Sequence, residues 1–226
     1  MKPGRQQARA AEDSSALTNL LECTACARLA AHLAQVRQSH AQYHAKPVLP
    51  FGDVRPQLFI VGLAPGMHGA NRTGRPFTGD YAGILLYETL HRYGYASRAD
   101  AVSANDGLTL RRCRISNAVK CLPPENKPLP AEVRRCNVHL KGELETLPPR
   151  AAILALGTIA HQAVLMALGL RRGDYVFAHC AQHALPSGHA LFDSYHCSRY
   201  NTQTKRLTTG MFREVFEAIG RHLKHD

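Results

Sequence analysis

The feature that most constrains this chain is residues 57–83, QLFIVGLAPGMHGANRTGRPFTGDYAG. It opens with an apolar run at 58–63, flanked by prolines, which predicts a buried strand. A long polar loop rich in glycine follows, and helical apolar spacing begins near Ala82. Ligands of open α/β sheets bind beyond the carboxyl ends of the strands, and long loops between ordered elements are usually functional or disordered. The stretch therefore predicts a binding site at the end of this strand, with a solvated surface loop as the alternative.

The residue types in this loop indicate what it binds. It lacks a P-loop and a complete G-x-G-x-x-G pattern, so standard nucleotide-binding fingerprints are absent. It does supply close-approaching backbone and polar donors at Gly66, His68, Gly69, Asn71, Arg72, Thr73 and Arg75. The ring of Phe77 and the carboxylate of Asp80 end the loop. Anion donors, a stacking ring and one acid predict a nucleotide on which chemistry is performed.

Charge supports a polyanionic partner. The 226 residues carry a formal net charge of +11 at pH 7, with a pI near 9.6, which favours nucleic acid. We find no apolar run of 18 residues and no apolar core near the N-terminus, so neither a membrane span nor a secretory signal is expected. We expect a cytoplasmic protein with a disordered basic arm at 1–13 and one domain at 14–226.

The remaining apolar runs predict the fold class. Strands are expected at 58–63, 113–119, 151–156 and 190–195, with helices between them and after the last. Such alternation predicts a parallel sheet covered on both faces by helices. A weaker short strand is expected at 175–178.

The cysteine pattern favours a metal site over disulfides. Seven cysteines are an odd number in an ordinary globular composition. Cys23 and Cys26 form C-x-x-C, whereas Cys121 and Cys136 flank a proline-rich loop; this fits neither a zinc ribbon nor a thioredoxin motif. Four such thiolates suit a [4Fe–4S] cluster, and four buried cysteines acting as small hydrophobes remain the alternative. The other three, Cys113, Cys180 and Cys197, are expected to be free thiols.

Two more strand ends carry polar groups. Asn117 lies at the end of the second predicted strand, and its amide can match the O4 and N3–H edge of uracil, although a turn or cap role is equally open. His196 follows the fourth strand. The ends of parallel strands meet at one edge of a sheet, so we expect Asp80, Asn117 and His196 to converge.

These segments resemble a known family. GLAPGMHGANRTGRPFTGD is similar to the first motif of the family 5 (B-type) uracil-DNA glycosylases, and DSYHCSRYNTQTKRLT to their last motif. RISNAVKCLPPENKPLPAEVRRC resembles a middle segment shared with the family 4 enzymes. The matches run from Cys23 to about Thr208. Two departures, Cys197 and Lys205, fall in the last motif, where relatives have Pro or Val and often Gly.

The resemblance implies a fold, an activity and a cofactor. It implies one three-layer α/β/α domain with a central four-stranded parallel sheet, and monofunctional hydrolysis of the N-glycosidic bond of uracil in DNA. Some relatives also remove hypoxanthine and other deaminated bases. It implies a [4Fe–4S] cluster on Cys23, Cys26, Cys121 and Cys136. Ala64 occupies the place of a catalytic Asp or Asn in other members of the superfamily, and Asp80 is the alternative acid.

We assign roles within this hypothesis. Asp80, Asn117 and His196 are the catalytic candidates, and the base is bound by Gly62, Ala64, Phe77, Asn117 and His196. Contacts to the DNA backbone are expected from Gly66, His68, Gly69, Asn71, Arg72, Ser198, Arg199 and Asn201. The expected partner is duplex DNA bound by a monomer, with single-stranded DNA open and no membrane. Rival readings are a non-catalytic zinc-containing nucleic-acid-binding protein and a hydrolase of free nucleotides.

Overall fold

The computed structural model describes residues 20–224. The arm expected at 1–13 lies outside these residues. Within 20–224, no helix combines the length and the apolar character that crossing a membrane requires.

A six-stranded sheet forms the centre of the protein. Its strands are β1 (Phe51–Gly52), β2 (Leu58–Gly62), β3 (Cys113–Asn117), β4 (Ala152–Leu156), β5 (Gln182–Ala184) and β6 (Ala190–Ser194). The spatial order is β1-β3-β2-β4-β6-β5. The four inner strands, β3-β2-β4-β6, are mutually parallel, whereas β1 and β5 pair antiparallel at the two edges. The predicted four-stranded parallel sheet is therefore confirmed, and two short edge strands are added to it.

The four inner strands are buried along their whole length, which explains the continuous apolar sequences of β2 and β4. The other two, β3 and β6, also bury polar side chains. The strand expected at 175–178 is wrong. A 3₁₀ turn at Arg172–Asp174 precedes that segment, and the pairing residues come later, at Gln182–Ala184. Nothing in the sequence marks β5, because an edge strand paired on one side needs no apolar run.

Seven α-helices complete the described chain. They are α1 (Ala27–Ser39), α2 (Ala70–Thr73), α3 (Tyr81–Arg92), α4 (Pro130–Glu145), α5 (Thr158–Ala167), α6 (Arg199–Gln203) and α7 (Thr209–Lys224). The short helices α2 and α6 lie in segments that the sequence suggested were loops.

Alternate residues of the inner strands pack in two separate layers. Ile60 faces a core that contains Leu86 of α3 and Phe212 of α7. Its neighbour Phe59 faces the opposite core, with Leu140 of α4. Because side chains alternate across a strand, the sheet is covered on both faces. This is the predicted three-layer α/β/α arrangement, and it brings the carboxyl ends of β2, β3, β4 and β6 to one edge.

Helix α1 is held against the second layer. Leu29 packs into that core, and Arg28 forms a bidentate pair with Glu132 of α4, with an Nη2–Oε2 distance of 2.7 Å. This pair places the residues before α1 beside the start of α4.

Candidate active site

Three strand ends define the site. Gly62 is the last residue of β2 and lies beside Asn117, the last residue of β3. His196 follows β6 by two residues and packs on Gly157, which follows β4. The predicted meeting of separate strand ends is thus present, because β2, β3, β4 and β6 run in parallel.

Gly62 is closely packed at this meeting point. A Cβ atom placed there would lie 2.6 Å from Cζ of Phe77 and closer still to Oδ1 of Asn117. Both neighbours are buried, so neither has free space to withdraw. Glycine is required because the ring and the amide approach its backbone directly.

Phe77 is held in an unusual backbone conformation. Its φ is 55°, in the left-handed region that is rare for a bulky residue. Its carbonyl contacts Gly83 so closely that no Cβ would fit there, and the adjacent carbonyl of Pro76 accepts a hydrogen bond of 2.7 Å from the Tyr87 hydroxyl. These contacts fix the ring, whose centroid lies 6.0 Å from that of His196 at an interplanar angle of 28°. Two aromatic faces therefore border the site.

Asn117 contributes an unpaired polar atom. Its side chain is 3% exposed, and Oδ1 has no hydrogen-bond partner among the described residues. An unpaired buried acceptor of this kind costs about 1–3 kcal/mol. The atom lies against Gly62 and beside the Phe77 ring. A plain capping role does not explain an amide oxygen left without a donor.

His196 is an uncharged imidazole at neutral pH. Burial disfavours its protonated form and lowers its pKa from the ordinary 6.5 to about 4. Its backbone carbonyl accepts a 2.8 Å hydrogen bond from Nδ2 of Asn201, which fixes the segment that follows β6. The ring can therefore donate a hydrogen bond from one nitrogen without carrying a charge.

Asp80 caps α3 with one carboxylate oxygen, and its other oxygen faces the preceding loop. Oδ1 accepts a 2.8 Å hydrogen bond from the backbone N–H of Gly83. Oδ2 faces the loop, 2.6 Å from where a Cβ of Gly69 would lie and 3.8 Å from that of Gly66. Burial raises the pKa of Asp80, and the hydrogen bonds from Gly83 and Ala82 oppose this by favouring the carboxylate.

The first loop carries two exposed candidates for DNA contact. His68 bonds through Nδ1 to the Tyr43 hydroxyl at 2.8 Å, and its carbonyl accepts from Nε of Arg72 at 2.7 Å. Both side chains lie at the surface. Gly66 and Gly69 form the turn that leads into α2, and half-buried Ala64 lies two residues beyond Gly62.

Two other donors expected in this loop are buried. Asn71 is fully buried, with its nitrogen directed at the Met67 sulfur 4.0 Å away, so its side chain does not reach a phosphate. Arg75 is 4% exposed and pairs bidentately with Asp106 at 2.7 and 2.9 Å. The sequence could not show this, since Arg75 and Asp106 lie 31 positions apart and meet only in the fold.

The last loop, which follows β6, also contains both residues that bond within the protein and residues that remain exposed. Ser198 caps α6 by accepting from the Asn201 N–H at 3.4 Å, and Asn201 also holds His196 as described. Arg199 remains exposed, with its guanidinium 5.8 Å from the centroid of the Tyr81 ring. Tyr200, which sequence reasoning did not single out, is 71% exposed beside it.

The four candidate ligand cysteines line one cavity. Cys23, Cys26, Cys121 and Cys136 surround it together with Leu29, Lys120, Arg135 and His139. None of them is in a disulfide, and Cys113, Cys180 and Cys197 are also free thiols, as predicted. Burial, followed by the neighbouring thiols, raises the pKa of Cys121 to about 12. Four convergent sulfurs in an enclosed site fit a thiolate-ligated iron–sulfur cluster.

A buried ion pair lies beside this cavity and was not predicted. Nζ of Lys120 is 2.7 Å from Oε1 of Glu143 and also donates to the Ser116 hydroxyl, while the Lys120 backbone N–H donates to Sγ of Cys136 at 3.3 Å. A cation next to thiolates would offset part of their negative charge. The sequence signal was weak, because Lys120 looks like an ordinary loop lysine.

Known proteins resemble the chain over most of its length. A family profile described as Uracil DNA glycosylase superfamily matches residues 49–220. A type-5 uracil-DNA glycosylase from Thermus thermophilus is 45% identical over 201 residues, covering 87% of this chain and 91% of its own. The type-5 enzyme of Pyrobaculum aerophilum is 38% identical over 88% of each chain. A type-4 enzyme from the same organism is 37% identical over 58% of this chain and 59% of its own.

Proposed function

The chain belongs to the uracil-DNA glycosylase superfamily and, within it, to the type-5 enzymes, and from this premise we propose that it hydrolyses the N-glycosidic bond of uracil in DNA, leaving an abasic site. The observation that carries the proposal is the juxtaposition of Gly62, Phe77 and Asn117, with the buried and unpaired amide oxygen of Asn117.

The base must leave the helix before it can be cleaved. Extruding it costs a few kcal/mol, and less when it is mispaired, as in U·G. The Phe77 ring offers a face for stacking, and Asn117 offers an acceptor to the N3–H of uracil and a donor to O4. The missing Cβ of Gly62 lets the Phe77 ring and the Asn117 amide lie together against its backbone, where they can act on one base.

His196 stabilises the leaving group. Cleavage places negative charge on the departing uracil, and a neutral imidazole N–H can donate to its oxygen without first losing a proton. Burial ensures that neutrality by lowering the pKa to about 4. A donor directed at charge that develops in the transition state is typically worth about 3 kcal/mol.

Asp80 acts on the opposite side of the bond. Oδ1 accepts the hydrogen bond that caps α3, whereas Oδ2 faces Gly66 and Gly69. This oxygen orients the attacking water and offsets positive charge on the sugar. Ala64 has no group for this task, so the acid comes from the end of the loop.

Exposed cations around the site bind the DNA backbone. Arg72, Arg199, Lys205 and Arg206 are all exposed, on the first and last loops. Phosphate contacts position the duplex without reading its sequence, and they make binding weaken as salt rises. Duplex DNA bound by a monomer is the arrangement that we propose.

A [4Fe–4S] cluster is the proposed cofactor, held by Cys23, Cys26, Cys121 and Cys136. When bound, it would supply a covalent link between the residues before α1, the loop after β3 and helix α4. We assign it a structural role, because the cavity lies on the face of the sheet that carries α4 and α5.

The decisive experiment measures abasic-site formation in oligonucleotides. Purified protein in excess is incubated with a U·G duplex and a matched T·G duplex, and alkali-cleaved products are resolved on a gel. We expect cleavage of the uracil strand only, whereas a protein that binds both duplexes and cleaves neither would contradict the proposal. Release of uracil from deoxyuridine but not from DNA would favour a hydrolase of free nucleotides.

The same assay tests the finer substrate range. Since the Asn117 amide offers both an acceptor and a donor, it can pair with the edges of other deaminated bases. We propose hypoxanthine as a second substrate, and an inosine-containing duplex run in parallel gives its rate relative to uracil.

A further inference from the structure

A second cluster of metal-ligating side chains lies outside the active site and the cysteine cavity. His161 comes from α5, His183 from β5 and Asp193 from β6. Their side chains are 2%, 16% and 0% exposed. One potential ligand atom from each lies within 4.8 Å of those from the other two. None of the three has a role in the proposed cleavage of uracil.

The hydrogen-bond partners of His161 require a positive charge between its ring and Asp193. Nε2 lies 2.9 Å from the carbonyl oxygen of Tyr175, which can only accept, so Nε2 must carry a proton. Nδ1 lies 2.8 Å from Oδ1 of Asp193. In a neutral imidazole the Nδ1 lone pair would then face a carboxylate oxygen, which is repulsive. A second proton or a metal ion must lie between them.

Further contacts match the surroundings of a protein metal site. A ligating histidine usually donates its other ring N–H to a carbonyl or carboxylate, which fixes the tautomer, and Tyr175 provides that acceptor here. The other Asp193 oxygen, Oδ2, lies 3.2 Å from Nε2 of His183. Two ligands of a tetrahedral zinc ion are about 3.4 Å apart. The observed separations of 2.8 and 3.2 Å are shorter than that value by about 0.6 and 0.2 Å, so side-chain rotations of this size would admit an ion.

We propose that His161, His183 and Asp193 form a binding site for a divalent transition-metal ion of the zinc class. Two imidazoles and one carboxylate are ligands that zinc accepts, and a water molecule at the partly exposed His183 side would complete four-fold coordination. The ion would replace the proton between Nδ1 of His161 and Oδ1 of Asp193.

Such a site would stabilise the edge strand β5. Gln182–Ala184 is a three-residue strand paired on one side only, and the ion would join it to β6 and to α5. Asp193 lies three residues before His196, so the same link would steady the strand that carries the catalytic imidazole. The site is structural, and it contributes no group to the reaction.

Metal titration of the purified protein, with its cysteine cofactor retained, tests the proposal. Loosely bound metal is removed with a chelator, and Zn²⁺ or Co²⁺ is added while binding is followed by calorimetry and optical spectroscopy. We expect one additional ion per chain and a rise in melting temperature. Co²⁺ at this site should show ligand-field bands without the intense sulfur-to-cobalt band that binding at the cysteines would produce.

Matched variants keep the experiment decisive. His183→Ala removes the most exposed ligand and should weaken binding at least tenfold while the fold is retained. His189→Ala, half-buried on the turn before β6 and bonded to Ser187 instead, should bind like the unaltered chain. The proposal would be overturned if the protein showed no saturable metal binding, or if both variants bound the metal with equal affinity. The proton between Nδ1 of His161 and Oδ1 of Asp193 would then be the remaining explanation of their contact. Burial opposes that charge, but the bond to Asp193 outweighs it and raises the pKa of His161.

Discussion

Replacing His196 with phenylalanine separates its chemistry from its packing. The ring of His196 lies 6.0 Å from that of Phe77 at 28°, and a phenyl ring can keep this stacked contact. What the substitution removes is the ring N–H that we assign to the leaving uracil. The fold and the packing around Phe77 should therefore survive, and the rate of the chemical step should fall.

The expected loss follows from the environment of the ring. One donor directed at developing negative charge in a water-poor site contributes about 3 kcal/mol, which is roughly a hundredfold in rate. The loss should appear in the single-turnover rate constant and barely in the affinity for DNA, because the interaction strengthens only as the bond breaks.

Single-turnover cleavage of a U·G duplex between pH 5 and 8 provides the assay. Because the pKa of His196 is lowered to about 4, the imidazole stays neutral throughout that range. We expect no change in rate near pH 6.5, where an ordinary histidine titrates. In the unfolded chain this histidine has its ordinary pKa and takes up a proton below 6.5, so it lowers the stability of the unaltered protein as pH falls from 6.5 towards 4. The phenylalanine variant should lack this contribution.

Two outcomes would refute the reasoning. The first is a rate within threefold of the unaltered protein, which would mean that the N–H is not used. The second is a sharp fall in rate below pH 6.5 that disappears in His196→Phe, which would mean that the imidazole titrates normally. His189→Phe, at a half-buried histidine on the turn before β6, controls for general effects of the substitution.

Further substitutions test the remaining assignments. Asp80→Asn should abolish cleavage yet keep the cap of α3. Asp80→Ala should abolish cleavage and also lower the free energy of unfolding by about 1 kcal/mol, because the cap is lost. An active Asn variant would contradict the catalytic role. Asn117→Ala should slow uracil excision at least tenfold with an unchanged melting temperature, because its amide oxygen has no partner among the described residues to lose. Cys121→Ala should remove the absorbance near 400 nm of the purified protein, while Cys180→Ala, exposed and outside the cavity, should retain it; equal spectra would exclude the cluster assignment. Tyr200→Ala should weaken binding of duplex DNA more than Tyr200→Phe, if this exposed ring stacks in the gap left by the base, and equal affinities would exclude stacking.

The sequence alone determined the central sheet and indicated where a candidate site lies. Strands buried on both faces are rich in apolar residues, so β2, β3, β4 and β6 could be located to within a few residues. Parallel strands then require their carboxyl ends to share an edge, and from this we predicted that the segments carrying Asp80, Asn117 and His196 converge there. The similarity of the motifs added the family and the activity, which periodicity could not supply.

Tertiary structure decided which polar side chains face that edge and which turn inwards. Asn71 and Arg75 have the composition of a binding loop, yet both are buried, one beside Met67 and one against Asp106. Their orientation depends on partners brought together by the fold rather than on local spacing.

Long-range contacts likewise created features that have no local signature. The unpaired oxygen of Asn117 is recognisable only when every neighbouring donor is placed. His161 and Asp193 lie 32 residues apart and meet because α5 packs against β4, the strand that pairs with β6. A sequence specifies its apolar periods locally, but hydrogen-bond partners and burial are set by the whole chain, and for this reason the second cluster emerged only from the structure.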